Sequence, residues 1–178
     1  MQKKNTTLRL AVSAVVAAAY AVLTIVLAPI SYGPVQFRVS EALTVLPFLM
    51  PSTVWGIGIG CFIANLYTHS VLDIVFGTLA TVLAGLFTAY FGKKGSTVGN
   101  RILGCLMPVL FNAVIVGAVL TWGYDFREFN SDLASYGFNA LTVGLGELAV
   151  LFLIGYTLLR QLPRIPSVRE SIEKVNRS

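Results

Sequence analysis

Apolar residues fill long, nearly unbroken runs in this chain, and the charges are confined to the gaps between them. A helix needs about 20 mostly apolar residues to cross roughly 30 Å of hydrocarbon. Residues 8–30, 71–91, 102–122 and 139–160 each meet that requirement. A further apolar region, 41–67, is interrupted by Pro47 and by Pro51-Ser52-Thr53. It is too long for one crossing, and each half is short for a crossing of its own.

The basic residues decide how that region is read. Eleven of the thirteen Lys and Arg fall in the N-terminal stub (Lys3, Lys4, Arg9), in 92–101 (Lys93, Lys94, Arg101) and in the tail after Leu159 (Arg160, Arg164, Arg169, Lys174, Arg177). Five of the eight acids, Glu41, Asp73, Asp125, Glu128 and Asp132, sit at the opposite ends of the runs. Cytoplasmic loops carry the Lys/Arg excess. An even number of crossings must then separate the N-terminal lysines from Lys93 and Lys94. Residues 39–50 and 54–67 are therefore read as two crossings that turn at Pro51-Ser52-Thr53. The sequence predicts an all-α integral membrane protein, one domain of six transmembrane helices with both termini cytoplasmic and a basic tail, 161–178.

Composition supports this class. Hydrophobic residues make up 56% of the chain and charged residues 12%, outside the range of a soluble domain. The first 30 residues carry signal-peptide features, but their apolar stretch exceeds the 7–15 residues typical of such a signal and reads as a span. The net charge of +5 lies next to the membrane, which suits topology and anionic lipid and gives no reason to expect nucleic acid. Cys61 and Cys105 fall within predicted spans without a CxxC or paired histidines, so neither a zinc site nor a disulfide framework is indicated. The run Gly92-Lys93-Lys94-Gly95-Ser96-Thr97 fails the P-loop template, with Phe87 at the first glycine position and Lys94 at the Ser/Thr position. Gly56, Gly58 and Gly60 follow no strand and are read as close helix packing.

The informative residues are polar groups in or beside the spans. Glu147 lies eight residues into the last span, about 12 Å from its outer end at 1.5 Å per residue. A charge at that depth costs roughly 2.5–3.5 kcal/mol on insertion scales, so it faces a cavity or a partner. Asn112 is near mid-membrane in the fifth span. Arg38, Glu41, Asn65, His69 and Asp73 gather at the outer ends of spans two to four. Arg38 either pairs with Glu41 one turn on or joins a site. His69 either caps an interface or partners Asp73, a poor ligand set for a metal. Aromatic residues at 122–138, Trp122 and Tyr124 among them, serve as interface anchors or stack on a flat ligand. Ala11, Ala14, Ala18 and Ala21 form one stripe about 80° wide on the first helix, which suits packing inside the bundle or docking of another membrane subunit. With a single histidine and no nucleophile–base order, catalysis is not expected.

Three segments carry a resemblance. They are Phe37-Arg38-Val39-Ser40-Glu41-Ala42-Leu43-Thr44, Gly60-Cys61-Phe62-Ile63-Ala64-Asn65-Leu66 and Leu72-Asp73-Ile74-Val75-Phe76-Gly77. Together they resemble the QueT family of queuosine-precursor transporters, substrate-binding S components of energy-coupling factor (ECF) importers, over about Leu8 to Arg160. The resemblance implies a six-helix S component in a bacterial-type plasma membrane. It would capture queuine or another 7-deazaguanine outside and need no cofactor of its own. A transmembrane coupling subunit would dock on the AxxxA pair Ala14 and Ala18, and two cytoplasmic ATPases would hydrolyse ATP. Glu147, Asn65, Glu41 and Asn112, then Arg38, Asp73 and His69, are the expected substrate contacts, with Trp122, Tyr124 or Phe37 stacking on the ring. An S component for another small vitamin and a membrane assembly protein are the alternatives.

Overall fold

The computed structural model describes residues 2–32, 37–123 and 133–176. Among these residues the helices are α1 (Gln2–Val26), α2 (Val39–Leu49), α3 (Thr53–Leu66), α4 (Asp73–Lys93), α5 (Val98–Trp122), α6 (Leu133–Arg164) and α7 (Pro166–Asn176), with a single turn at Ala28–Ser31 after α1. By length and composition α1, α4, α5 and α6 can each cross a bilayer, whereas α2 and α3 are shorter apolar helices. Large apolar side chains such as Val15, Trp55, Ile59, Val71, Leu141 and Leu153 remain exposed on the outer surface. That exterior suits hydrocarbon rather than water.

The short helix α2 reaches further than its residue count suggests. Its first seven residues, Val39–Val45, are 3₁₀ helix. At about 2.0 Å per residue they cover about 14 Å, against about 10 Å for an α-helix. Pro47 falls in the first turn of the α-helical stretch Leu46–Leu49, where its missing N–H costs nothing. Contacts at both ends fix the direction of the hairpin. Arg38, just before α2, donates from Nε to the Ser31 carbonyl at 3.2 Å. Past its other end, the Ser13 hydroxyl donates to the Ser52 carbonyl at 3.0 Å. Helix α3 then returns, and Tyr32 Oη donates to the Ala64 carbonyl at 2.7 Å. Both short helices thus run along α1, from the turn that follows it back to the level of Ser13.

Close approach between α1 and α3 requires glycine. A Cβ on Gly60 would lie 2.7 Å from the Ala17 carbonyl oxygen and 2.8 Å from Tyr20 Cβ, and one on Gly56 would meet the Ser13 carbonyl. The interface they permit buries Val16, Tyr20, Leu46, Ile57, Cys61 and Ala64. The basic tail contains a helix that folds back. Val175 of α7 is buried, its carbonyl accepts from Arg9 Nε at 2.8 Å, and Asn176 Nδ2 donates to the Leu49 carbonyl at 2.8 Å. Three stretches, Asp73–Gly77, Asn112–Val116 and Leu151–Gly155, are π-helical within α4, α5 and α6. Such insertions are frequent at functional sites because the wider turn re-aims side chains.

Candidate functional site

The buried polar residues meet where α1, α2, α5 and α6 face one another. Tyr20 and Thr24 of α1 fall within about 40° of each other at 100° per residue, away from the alanine stripe. Tyr20 Oη donates to Glu41 Oε1. The Thr24 hydroxyl bridges the Tyr20 carbonyl at 2.8 Å and the Ser40 hydroxyl at 2.6 Å. Glu41 itself is 0% exposed on the 3₁₀ stretch of α2. Asn112, the first residue of the π stretch in α5, donates from Nδ2 to Glu147 Oε1 of α6 at 3.0 Å, and the same side chain lies against Glu41. One amide therefore stands between two carboxylates, all of them buried.

The cluster extends toward α3 and α4. Asn65 Nδ2 donates to the Asp73 carbonyl at 2.9 Å and lies 3.4 Å from Cys61 Sγ. Thr81 Oγ1 stands 3.3 Å from the same sulfur, which also neighbours Tyr20. Arg38 is 4% exposed, and its guanidinium carbon stands 5.1 Å from the centre of the Tyr32 ring. Tyr32 in turn stacks on Tyr67. No ion pair joins Arg38 to Glu41 among the described residues; the Ser31 carbonyl takes the Nε proton instead.

Three buried acceptors in this cluster have no hydrogen-bond partner among the described residues: Glu41 Oε2, Glu147 Oε2 and Asn65 Oδ1. A buried polar atom left unpaired costs roughly 1–3 kcal/mol, and more when it is charged. Native proteins keep few such atoms, and each calls for an explanation. Here all three are acceptors, so the arrangement suits a ligand that presents several N–H donors. Arg38 supplies a cation at the edge of the same cluster.

The other expected site residues are placed differently. Asp73 is buried at the start of α4, and the Ser70 hydroxyl accepts from its backbone N–H at 3.3 Å. His69 is exposed in the turn after α3, where its φ of 54° is in the left-handed region. It stands apart from the carboxylates. Trp122 is 42% exposed and stacks on Tyr136 with centroids 5.1 Å apart. Tyr124 lies outside the described residues. Ala11, Ala14 and Ala18 are on the surface, whereas Ala21 is buried. Tyr20, Thr24 and Tyr32 are the residues that reasoning from sequence passed over. The available signal was the i, i+4 pair of hydroxyls, Tyr20 and Thr24, inside an otherwise apolar run.

An all-helical bundle among the described residues, with four helices able to cross a bilayer and an apolar exterior, defines a multi-pass membrane protein. Residues 10–164 match the QueT transporter family, and the chain belongs to that family. It is similar to the Queuosine precursor transporter QueT of Lactococcus lactis subsp. cremoris (strain MG1363), with 40% identity over 83 residues. That match takes in 46% of this chain and 49% of the relative, so it spans about half the length of the curated protein. No solved structure matches the chain.

Proposed function

We propose that this chain is the solute-capturing S component of an ECF-type importer, that it crosses the membrane six times with both termini cytoplasmic, and that its solute is queuine or a 7-deazaguanine precursor of queuosine. The name of the Lactococcus relative supports the solute class. The course of α2 and α3 along α1, reaching a turn that shares a cavity with Arg9 and Lys93, supports two further crossings, and the basic residues gathered at one end support the orientation. The solute enters from the outside, between Arg38 and the carboxylates. ATP is used by two cytoplasmic ATPases, reached through a coupling subunit that docks on Ala14 and Ala18.

The observation that carries this reading is the set of unpaired buried acceptors, Glu41 Oε2, Glu147 Oε2 and Asn65 Oδ1. A 7-deazaguanine has a ring N–H beside an exocyclic amine, and one carboxylate accepts both in parallel. Glu147 takes that edge. Glu41 and Asn65 accept from the remaining N–H groups, including an aminomethyl cation where the solute has one. Arg38 donates to the ring carbonyl, and Asn112 holds the two carboxylates at their spacing. Trp122 stacks near the entrance, with Asp73 and His69 at the outer rim.

Binding to the purified full-length chain tests this. Queuine and its aminomethyl and nitrile precursors would be titrated, with riboflavin, thiamine and biotin as controls. A deazaguanine should bind, and Glu147→Gln should weaken it roughly tenfold to a hundredfold, the worth of one hydrogen bond to a charged group. Absence of binding by any deazaguanine to well-folded protein would overturn the solute assignment. Copurification of the chain with ATPase subunits tests the ECF assembly separately.

A further inference from the structure

Two cavities meet at the basic end of the bundle, and neither belongs to the buried cluster. The first, about 630 Å³, is lined by Arg9, Lys93, Ser52 and Asn176 together with Phe48 and Gly92. Among the described residues none that lines it is acidic, and two, Arg9 and Lys93, are cationic. Arg9 is anchored at its rim through the Nε bond to the Val175 carbonyl. The Ser52 hydroxyl oxygen is buried without a hydrogen-bond partner among the described residues. The second cavity, about 660 Å³, is an apolar groove between α1 and α3 lined by Leu10, Ala14, Ala18, Trp55, Ile59 and Ile63. Arg9 and Ser52 line both, so a polar, cationic chamber adjoins an apolar groove.

The dimensions fit one leaflet of a bilayer. From Ser52 to Ile63 the groove follows α3 for about 16 Å at 1.5 Å per residue. Half of a hydrocarbon core of roughly 30 Å is about 15 Å. Leu10, Trp55, Ile59 and Ile63 are exposed along it. We propose that this composite cavity is a binding site for one anionic phospholipid, its phosphate held by Arg9, Lys93 and Ser52 and an acyl chain lying in the groove beside Ala14 and Ala18. The site rests on the membrane-spanning reading, with the basic end in the leaflet that is rich in anionic lipid, and is independent of which solute is carried. It has a consequence for assembly: a lipid in the groove and a protein helix on Ala14 and Ala18 exclude each other.

The test is native mass spectrometry of the full chain exchanged into detergent containing either phosphatidylglycerol or phosphatidylcholine. Phosphatidylglycerol should be retained in preference, by about fivefold for each cation that holds it. Lys93→Gln, at an exposed position, should reduce that preference about fivefold, and Ala18→Phe, which fills the groove, should abolish retention of either lipid. Thermal unfolding in the same detergents should rise with phosphatidylglycerol and remain unchanged with inorganic phosphate. Equal retention of the two lipids, an undiminished preference in Lys93→Gln, or stabilisation by inorganic phosphate alone would each overturn the site. Failure of deazaguanine binding would leave it standing.

Discussion

Tyr20 links the first helix to the buried carboxylates. Its ring fills the α1–α3 interface, and its hydroxyl serves Glu41. Tyr20→Phe keeps the ring and removes the hydroxyl that donates to Glu41 Oε1, weakening the support of a carboxylate whose other oxygen is already unpaired among the described residues. The expected cost is about 1–3 kcal/mol, read as a lower melting temperature of the purified protein and weaker solute binding. A double-mutant cycle sharpens the point. In a Glu41→Gln background the same substitution should cost less, because residues sharing one hydrogen bond are coupled. Equal effects in both backgrounds would mean that Tyr20 acts through its packing alone.

At the scale of elements, the glycines of α3 set its distance from α1. Gly60→Ala places a methyl 2.7 Å from a backbone oxygen of α1, which has no side-chain freedom with which to yield. A loss of roughly 1–3 kcal/mol is expected from this overpacking. Gly99→Ala is the matched control: its methyl meets nothing within 4 Å, and it lies in the first turn of α5. There the better helix propensity of alanine should leave stability unchanged or raise it by up to about 1 kcal/mol. Comparing the two melting temperatures separates steric from propensity effects. The same elements explain what could be read in advance. The four long helices announce themselves by length and hydropathy. Glu41, Asn112 and Glu147 stand out because polar residues in apolar runs are expensive. Helix α2 was obscure because its 3₁₀ rise lets fewer residues span the bundle and because Pro47 looks like a break. The π stretches have the same apolar composition as the helix around them, so nothing in the pattern marks them. Tyr20 was hidden by a type of residue that serves equally well as an apolar filler or an interface anchor. That α7 folds back depends on contacts with Arg9 and Leu49, 166 and 127 residues away in sequence, which no local pattern encodes.

For the whole molecule the question is whether the α2–α3 hairpin crosses the bilayer or only dips into it. The two arrangements share the same parity, so the sides of the termini and of the Lys93–Lys94 turn cannot separate them. The turn between α2 and α3 can. Ser52 lines the same cavity as Arg9 and Lys93, as does Pro51, so this turn lies at the basic end. His69 lies in the turn after α3, at the opposite end. Cys61 and Cys105 are buried and should contribute little background to thiol labelling. Single cysteines at Pro51, His69 and Lys94 can therefore be challenged with a membrane-impermeant maleimide in intact cells and again after permeabilisation. With six crossings and both termini inside, His69→Cys labels in intact cells, while Pro51→Cys and Lys94→Cys label only once the membrane is opened. A hairpin that dips from the outside would bury position 51 in hydrocarbon and leave it unlabelled in both conditions. Labelling of Lys94→Cys in intact cells would reverse the orientation inferred from the basic residues.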